Sequence, residues 1–190
     1  ADTTAAPEKS EAETEAEAKD DAASGDLIVV GYAQVGAESD WRTANTESFK
    51  STFTEENGYK LIFDDAQQKQ ENQIKAIRSF IQQDVDYIVV APVVETGWEA
   101  VLQEAQEAGI PVILSDRQMD VDESLYECWV GGNFIKEGET AGNWLADYLK
   151  AQGRDGEDIN IVTLQGTIGA SAQVGRTEGF GNILKQHDNW

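Results

Sequence analysis

Short runs of β-branched and aromatic residues alternate with amphipathic segments along most of the chain. Between the runs, apolar side chains recur at helical spacing, as Ile74, Ile77 and Ile81 do. Strand and helix therefore alternate four times within about 105 residues, which requires right-handed crossovers between parallel strands. We expect an α/β fold with a doubly wound parallel sheet covered by helices on both faces. The predicted elements are strands at residues 27–30, 59–63, 87–91, 110–114 and 126–130, with a first helix at 40–57 that stops at Gly58.

A second block of elements begins after residue 132. Its predicted members are a helix at 134–151, a strand at 159–164 and a helix at 170–187. One helix–strand–helix unit is too small to make a complete sheet domain. We therefore expect residues 26–132 to form a nearly complete first lobe and residues 133–190 to form part of a second lobe that is truncated in this chain.

Residues 1–25 differ from the rest of the chain in composition. They contain no aromatic residue and no Leu, Ile or Val. Such a segment cannot bury enough apolar surface to offset the entropy that it would lose on ordering, so we expect a disordered acidic linker. The whole chain has a formal net charge of −22 at pH 7, which argues against binding to nucleic acid or to anionic lipid.

The sequence lacks the usual signatures of catalysis. It has no G-x-S-x-G, P-loop, H-E-x-x-H or G-x-G-x-x-G motif. The single histidine, His187, is expected on a helix surface, and the single cysteine, Cys128, is expected to be buried in an apolar run. Asp64 and Asp65, or Asp116, could belong to a metal or acid–base site, but helix capping and loop solvation are the simpler interpretation. We expect no enzyme activity, no cofactor and no metal.

Several loops carry side chains suited to binding a sugar. Ligands of open α/β sheets bind beyond the carboxyl ends of the strands, which selects the loops at residues 34–41, 64–70, 91–97 and 115–120. Trp41 offers a flat face for a sugar ring, while Glu38 and Arg42 offer directional hydrogen bonds to hydroxyl groups. Asp116 and Arg117 follow the fourth strand as an adjacent acceptor and donor. As alternatives, Trp41 could pack against the protein, and Asp116 with Arg117 could be a solvated surface pair.

Five stretches of the sequence carry a resemblance to one family. They are VGYAQVGAESDWR (30–42), DAQQKQENQIKAIRSF (65–80), VDYIVVAPVVETGWEAVLQEA (85–105), IPVILSDR (110–117) and LQGTIGASAQVGRTEGF (164–180). They cover nearly all of residues 27–187 in the family's order, and the combination of QQKQENQIKAIRSF with APVVETGW is highly specific. The chain resembles the type I periplasmic sugar-binding proteins of the ribose- and galactose-binding kind, and in particular the galactofuranose-binding proteins of sugar ABC transporters.

The resemblance implies a two-lobed receptor that closes on a monosaccharide and delivers it to the permease of an ABC importer. It implies an extracytoplasmic location, in the periplasm or at the outer face of the cell membrane. With the acidic linker as a spacer, it also suggests a lipoprotein tether through an upstream lipid anchor. The residues that match the family's ligand positions are Glu38, Ser39, Asp40, Trp41 and Arg42 in the first loop, Asp116 and Arg117 after the fourth strand, and Arg176 on the second lobe.

Three other functions share parts of this pattern. A sugar-sensing receptor domain would use the same closed form, so the sequence does not separate sensing from transport. The effector core of a sugar-responsive repressor would need a helix-turn-helix before the first strand, which residues 1–25 do not supply. An enzyme acting on sugars would need a pair of catalytic carboxylates in a motif that the sequence lacks.

Overall fold

A five-stranded sheet with helices on both faces makes up the first part of the computed structural model, which describes residues 27–190. The linker predicted at residues 1–25 lies outside the described residues. The strands are β1 (Ile28–Gln34), β2 (Tyr59–Asp65), β3 (Tyr87–Val90), β4 (Val112–Ser115) and β5 (Cys128–Val130). The helices are α1 (Asp40–Thr52), α2 (Gln70–Gln82), α3 (Glu99–Glu107), α4 (Phe134–Ala151) and α5 (Ser171–Leu184).

The sheet has the strand order β2-β1-β3-β4-β5, and every neighbouring pair is parallel. The chain passes from β1 to β2 on one side of β1, and β3 then pairs with β1 on its other side. The direction of strand addition therefore reverses between β1 and β3, which opens a crevice at their carboxyl ends. The predicted doubly wound α/β fold is confirmed.

Two apolar layers sandwich the sheet because successive side chains of a strand point to opposite faces. On β1, Val30 and Tyr32 face the layer that includes Phe49 of α1, while Ala33 faces the layer that includes Phe80 of α2. Gly31 also faces α2, and a Cβ placed there would lie 2.5 Å from Cγ of Phe80. The ring of Phe80 thus packs directly on the backbone of the central strand, which fixes α2 against it.

Helix α1 is shorter than the sequence pattern indicates. It ends at Thr52, and a short 3₁₀ turn at Glu55–Asn57 leads to Gly58 in the left-handed conformation, with φ of 85°. The ring of Phe53 lies between the rings of Phe49 and Tyr59, with centroid distances of 5.5 and 5.0 Å. We attribute the early end of the helix to this aromatic packing.

Cys128 is exposed, so the prediction of a buried thiol is wrong. It lies on β5, which pairs only with β4 among the described residues and therefore forms an edge of the sheet. Val130 on the same strand is also exposed. An apolar run at a sheet edge does not have the covering layers that bury the same run at the centre.

Helices α4 and α5 pack closely through pairs of glycines spaced four residues apart. A Cβ on Gly138 would collide with the backbone of Arg176, and a Cβ on Gly179 would collide with the backbone of Ile135. A Cβ on Gly142 would lie 2.7 Å from Cβ of Ile183. The two backbones therefore approach each other at a distance that only glycine allows.

The strand predicted at residues 159–164 does not form. The segment has no regular secondary structure. Its Ile159 N–H donates to the Asn189 carbonyl at 2.7 Å, but no strand of the described residues pairs with it. Val162 and Leu164 are 88% and 94% exposed. A β-branched run becomes a strand only when a neighbour accepts its backbone hydrogen bonds.

The division into lobes at residues 26–132 and 133–190 stays a prediction.

Candidate functional site

Four charged side chains meet at the carboxyl edge of the sheet. Glu38 and Arg42 come from the turn after β1 and the first turn of α1, and Asp116 and Arg117 follow β4. Arg42 Nε donates to Glu38 Oε1 at 3.0 Å, and Arg42 NH2 donates to Asp116 Oδ2 at 2.6 Å. Arg117 NH2 lies 3.5 Å from Glu38 Oε1. The structure therefore joins these four predicted site residues in one network of two acids and two bases.

Both guanidinium groups of the network are buried. The side chains of Arg42 and Arg117 are 2% and 9% exposed. Burial lowers the pKa of Arg42, but its hydrogen bonds to Glu38 and Asp116 and their charges outweigh burial, so the net pKa is raised. Burial and then the charge of Arg42 lower the pKa of Arg117. Arg42 is thus held tightly as a cation between two carboxylates.

Two polar atoms of this network have no hydrogen-bond partner within residues 27–190. They are Glu38 Oε2, which can only accept, and Arg42 NH1, which can only donate. Buried polar groups are normally paired, because an unmade hydrogen bond costs about 1–3 kcal/mol or more for a charged group. A partner that both donates and accepts hydrogen bonds would complete the network.

The backbone at Asp116 is in an unusual conformation. Asp116 has a φ of +63°, and the N–H of Arg117 donates to the Ser115 carbonyl at 2.7 Å. A hydrogen bond that spans two residues defines a γ-turn, and the form with positive φ at its centre is rare and strained. This turn directs two consecutive side chains, Asp116 and Arg117, into the same charged network.

Arg117 reaches over the end of β3, which lies between β1 and β4. Its NH1 group donates to the Val93 carbonyl at 3.1 Å and to the Pro92 carbonyl at 3.4 Å. The Val93 N–H in turn donates to the side-chain oxygen of Gln73 at 2.9 Å. Gln73 is fully buried and also donates to the carbonyls of Ala33 and Ala91, which fixes the ends of β1 and β3 relative to α2.

Gln73 is a residue that the sequence interpretation missed. It lies four residues before Ile77 and seven before Phe80, on the apolar face of α2. An amide at a core position of an amphipathic helix is the signal that could have identified it, because a buried polar group needs partners. Here those partners are the backbone groups that shape the loop after β3.

A second polar cluster fixes α1 on the sheet. The Tyr32 hydroxyl and the Gln34 amide both donate to Asn45 Oδ1, at 2.8 and 2.9 Å. Tyr32 and Gln34 are fully buried on β1, and Asn45 lies one turn beyond Arg42 on α1. These hydrogen bonds set the position of the helix that carries Arg42.

The remaining residues of the first predicted ligand loop occupy the start of α1. Ser39 is the N-cap, and its Oγ accepts from the Arg42 N–H at 3.1 Å. Asp40 is exposed in the first turn. Trp41 is 57% exposed, and the guanidinium carbon of Arg42 lies 4.9 Å from the centroid of its ring. Trp41 is thus more than half exposed, with its remaining contact to Arg42, and its role in ligand binding or packing stays a prediction.

Arg176 lies on α5 and forms an ion pair with α4. Its Nε donates to Glu137 Oε2 at 2.8 Å, and its guanidinium carbon lies 4.9 Å from the ring centroid of Phe134. Arg176 and Arg117 both line a cavity of ≈ 590 Å³ between α4, α5 and the irregular segment at residues 161–167. The structure thus brings Arg176 to the same cavity as Arg117, although its hydrogen bond is to Glu137 and not to the four-charge network.

Two contacts connect the loops of the sheet to the start of α5. The Glu95 N–H donates to the Gly169 carbonyl at 2.9 Å, and the Gln118 N–H donates to Ser171 Oγ at 2.9 Å. Glu95 lies in the loop after β3, and Gln118 lies immediately after Arg117. These contacts place the amino end of α5 beside the carboxyl edge of the sheet.

The alternative site at Asp64 and Asp65 lies at the carboxyl end of β2 and has ordinary structural contacts. Asp65 Oδ1 accepts from the Gln67 N–H at 2.8 Å. Neither aspartate caps α2, because the residue at the N-cap of that helix is Lys69. Burial, and next the charge of Asp65, raise the pKa of Asp64.

Within residues 27–190 no group of three or more His, Cys, Asp and Glu residues is arranged to hold a metal ion. None of the described helices has the length and apolar character needed to cross a membrane.

A family model described as periplasmic binding protein domain matches residues 30–190. The chain belongs to this family. The match includes all four residues of the charged network and extends through α5. The predicted type I periplasmic binding fold is confirmed, and the family agrees with the predicted extracytoplasmic location.

Several characterised proteins are similar to this chain. Galactofuranose-binding protein YtfQ of Escherichia coli (strain K12) is 50% identical over 163 residues, which are 85% of this chain and 49% of that protein. A crystal structure from Mycobacterium smegmatis in complex with β-D-fucofuranose has 52% identity and a TM-score of 0.80, and covers 86% of this chain and 53% of that one. The periplasmic binding protein component of the arabinose ABC transporter from Shewanella sp. ANA-3, bound to α- and β-L-arabinofuranose, has 49% identity and a TM-score of 0.76, with 85% and 51% covered.

This chain spans about half the length of each of these relatives. Their names describe sugar binding and transport. The prediction of a binding protein instead of an enzyme is confirmed at the level of these relatives.

Proposed function

We propose that this chain is part of the substrate-binding protein of a sugar ABC importer. The observation that carries the proposal is the charged network of Glu38, Arg42, Asp116 and Arg117, with one acceptor atom and one donor atom unpaired within residues 27–190. A sugar hydroxyl both donates and accepts, so hydroxyl groups of one ligand can serve both kinds of atom. The network stands where parallel α/β sheets bind their ligands.

The charge balance of the network favours a neutral ligand. Its two carboxylates and two guanidinium groups sum to zero formal charge. An anionic ligand would meet the carboxylates, and a cationic ligand would meet the guanidinium groups, so each would encounter repulsion as well as attraction. A polyhydroxylated neutral molecule can use both signs of charge through charge-assisted hydrogen bonds.

The residues around the network supply the other contacts of the proposed site. The open surface of Trp41 provides an apolar face for the C–H side of a sugar ring. Asp40 and Ser39 flank it at the start of α1, where Ser39 mainly fixes the helix end. Arg176 approaches from α5 and would contact the ligand from the opposite side, which couples ligand binding to the closure of two lobes.

We further propose that the ligand is a monosaccharide in the furanose form. The support comes from relatives near 50% identity whose names or bound ligands are galactofuranose, β-D-fucofuranose and L-arabinofuranose. A furanose has a five-membered ring, so its hydroxyl groups are arranged differently from those on the six-membered pyranose ring of the same sugar. Ring form is therefore a property that the site would read.

Calorimetry on the full-length gene product tests both statements. D-galactose, L-arabinose and D-fucose serve as the first panel, because each reaches furanose forms in water. The matched pair is 1,4-anhydro-D-galactitol, locked as a furanose ring, and 1,5-anhydro-D-galactitol, locked as a pyranose ring. We expect binding of the first and at least tenfold weaker binding of the second. No heat with any sugar of the panel would overturn the receptor proposal, and a preference for the pyranose ring would overturn the furanose proposal alone.

The remaining proposals concern partners and attachment. We propose that the receptor delivers its sugar to an ABC permease, and that residues 1–25 act as a hydrophilic spacer to an upstream lipid anchor. The acidic and alanine-rich composition of these residues supports a spacer. Mass spectrometry of the mature gene product would detect an N-terminal lipid-modified cysteine. A mature protein with an unmodified amino terminus would contradict the anchor but not the spacer.

A further inference from the structure

The strained turn at Asp116 is held by groups outside the charged network. Its N–H donates to the Val130 carbonyl at 2.8 Å, and its own carbonyl accepts from Nε1 of Trp129 at 3.1 Å. Val130 and Trp129 are both on the edge strand β5. The two backbone polar groups of Asp116 are thus paired with consecutive residues of one strand.

Gly131 completes this contact. A Cβ at position 131 would collide with the Asp116 carbonyl and would lie 2.6 Å from Nε1 of Trp129. Only glycine leaves room for the indole N–H to reach that carbonyl. The partly buried ring of Trp129 also packs against the apolar layer beneath the sheet, so the donor has a fixed position.

A non-glycine residue with positive φ persists only where its surroundings enforce that conformation. Rotation of Asp116 to negative φ would turn its carbonyl away from the indole and would break the Arg117 hydrogen bond to Ser115. Asp116 and Arg117 would then no longer both point into the network. We propose that Trp129 is a positioning residue of the sugar site, which acts by holding Asp116 in the left-handed turn.

This inference rests on the proposed sugar-binding function for its functional consequence, and its structural step can be tested separately. The test uses Trp129→Phe in the full-length gene product, because phenylalanine keeps an aromatic ring and removes the N–H donor. Amide hydrogen exchange resolved to single residues reports on the turn without any ligand. We expect exchange of the Arg117 amide to become about tenfold faster, while the amides of β1 and β3 keep their protection.

Sugar affinity is the second readout. We expect the Kd of the best ligand of the wild-type panel to rise about 3- to 10-fold, the range that one neutral hydrogen bond supports. The matched control is Trp98→Phe, because Trp98 also donates from its indole to a carbonyl, that of Val94, at 2.7 Å. Trp98→Phe should lower the melting temperature, since Trp98 is fully buried, but should leave exchange of the Arg117 amide unchanged.

A second replacement covers the case in which Trp129→Phe does not fold. Substitution of benzothiophene for the Trp129 indole keeps the ring shape and removes only the donor. Unchanged exchange of the Arg117 amide would overturn the proposal, and so would faster exchange with unchanged affinity. If the wild-type protein binds no sugar, the proposed function fails, whereas the exchange measurement still decides whether Trp129 holds the turn.

Discussion

Arg42 NH2 and Asp116 Oδ2 are 2.6 Å apart, although the two residues are separated by 74 positions in the sequence. Arg42 lies in the first turn of α1 and Asp116 in the turn after β4, on opposite sides of β3 in the sheet. The ion pair therefore spans the carboxyl end of the central strands. With Glu38 on the same guanidinium, it makes Arg42 the centre of the candidate site.

Because Arg42 pairs with both carboxylates, we expect replacement of Arg42 to lower the stability of the protein strongly. Arg42→Met should lower the free energy of unfolding by on the order of 3–5 kcal/mol, because Glu38 and Asp116 would lose a buried cationic partner. The control is Arg78→Met, because Arg78 also pairs with a glutamate, Glu104, at 2.7 Å but on the exposed surface of α2. Arg78→Met should have little effect. Equal effects in urea unfolding of the two variants would contradict the central role of Arg42.

The sequence predicts that the loops after β1 and β4 lie close together, because the carboxyl ends of parallel strands meet at one edge of the sheet. Runs of β-branched residues locate β1 and β4, so the sequence pattern assigns Glu38, Arg42, Asp116 and Arg117 to the same edge of the sheet. Their mutual hydrogen bonds could not be predicted in this way. Whether an Arg binds a carboxylate, a carbonyl or solvent depends on distances across β3 that no local pattern contains.

Other features depend on neighbours more than on local sequence. Two apolar runs have compositions typical of buried strands. The run that contains Cys128 lies on a sheet edge, and the run at 159–164 has no pairing strand within residues 27–190. The positive φ of Asp116 also has no sequence signal, because glycine is the residue that usually marks it. It follows from contacts with Trp129 and Val130, which are distant from Asp116 in the chain.

Trp41 should affect binding more than folding. Trp41 is 57% exposed, so Trp41→Ala removes less than half of the burial of a core tryptophan and should lower the free energy of unfolding by no more than about 2 kcal/mol, against about 3–5 kcal/mol for a core Trp→Ala. The Kd for a sugar should rise at least about tenfold if the ring stacks on the ligand. Tyr87→Ala is the control, because Tyr87 is a partly exposed aromatic residue at the amino end of β3, opposite the site. A large loss of stability without a change in Kd would assign Trp41 to packing.

Stability should decrease at alkaline pH because of Tyr32. Burial raises the pKa of its phenol from an ordinary value near 10 to about 12. The folded state thus favours the neutral phenol, and its contribution is complete below pH 10 and is lost as the pH rises from about 10 to about 12. Between pH 9 and pH 11, the unfolding free energy of Tyr32→Phe should rise relative to wild type by about 1 kcal/mol. Parallel pH profiles in urea unfolding would contradict this assignment.

Helix α5 offers a test of the close packing that positions Arg176. Gly179→Ala should destabilise the protein by about 1–3 kcal/mol or more, because its methyl group would collide with the backbone of α4 at Ile135. Gly181→Ala is the matched control two residues further along the helix, where a Cβ would have no atom within 4 Å. That variant should be stabilised by about 0.5–1 kcal/mol, since alanine is the better helix former. Urea unfolding of both variants measures the difference. A similar effect of the two substitutions would mean that α4 and α5 do not approach as closely as their glycines allow, and that Arg176 is not held against Glu137 by this crossing.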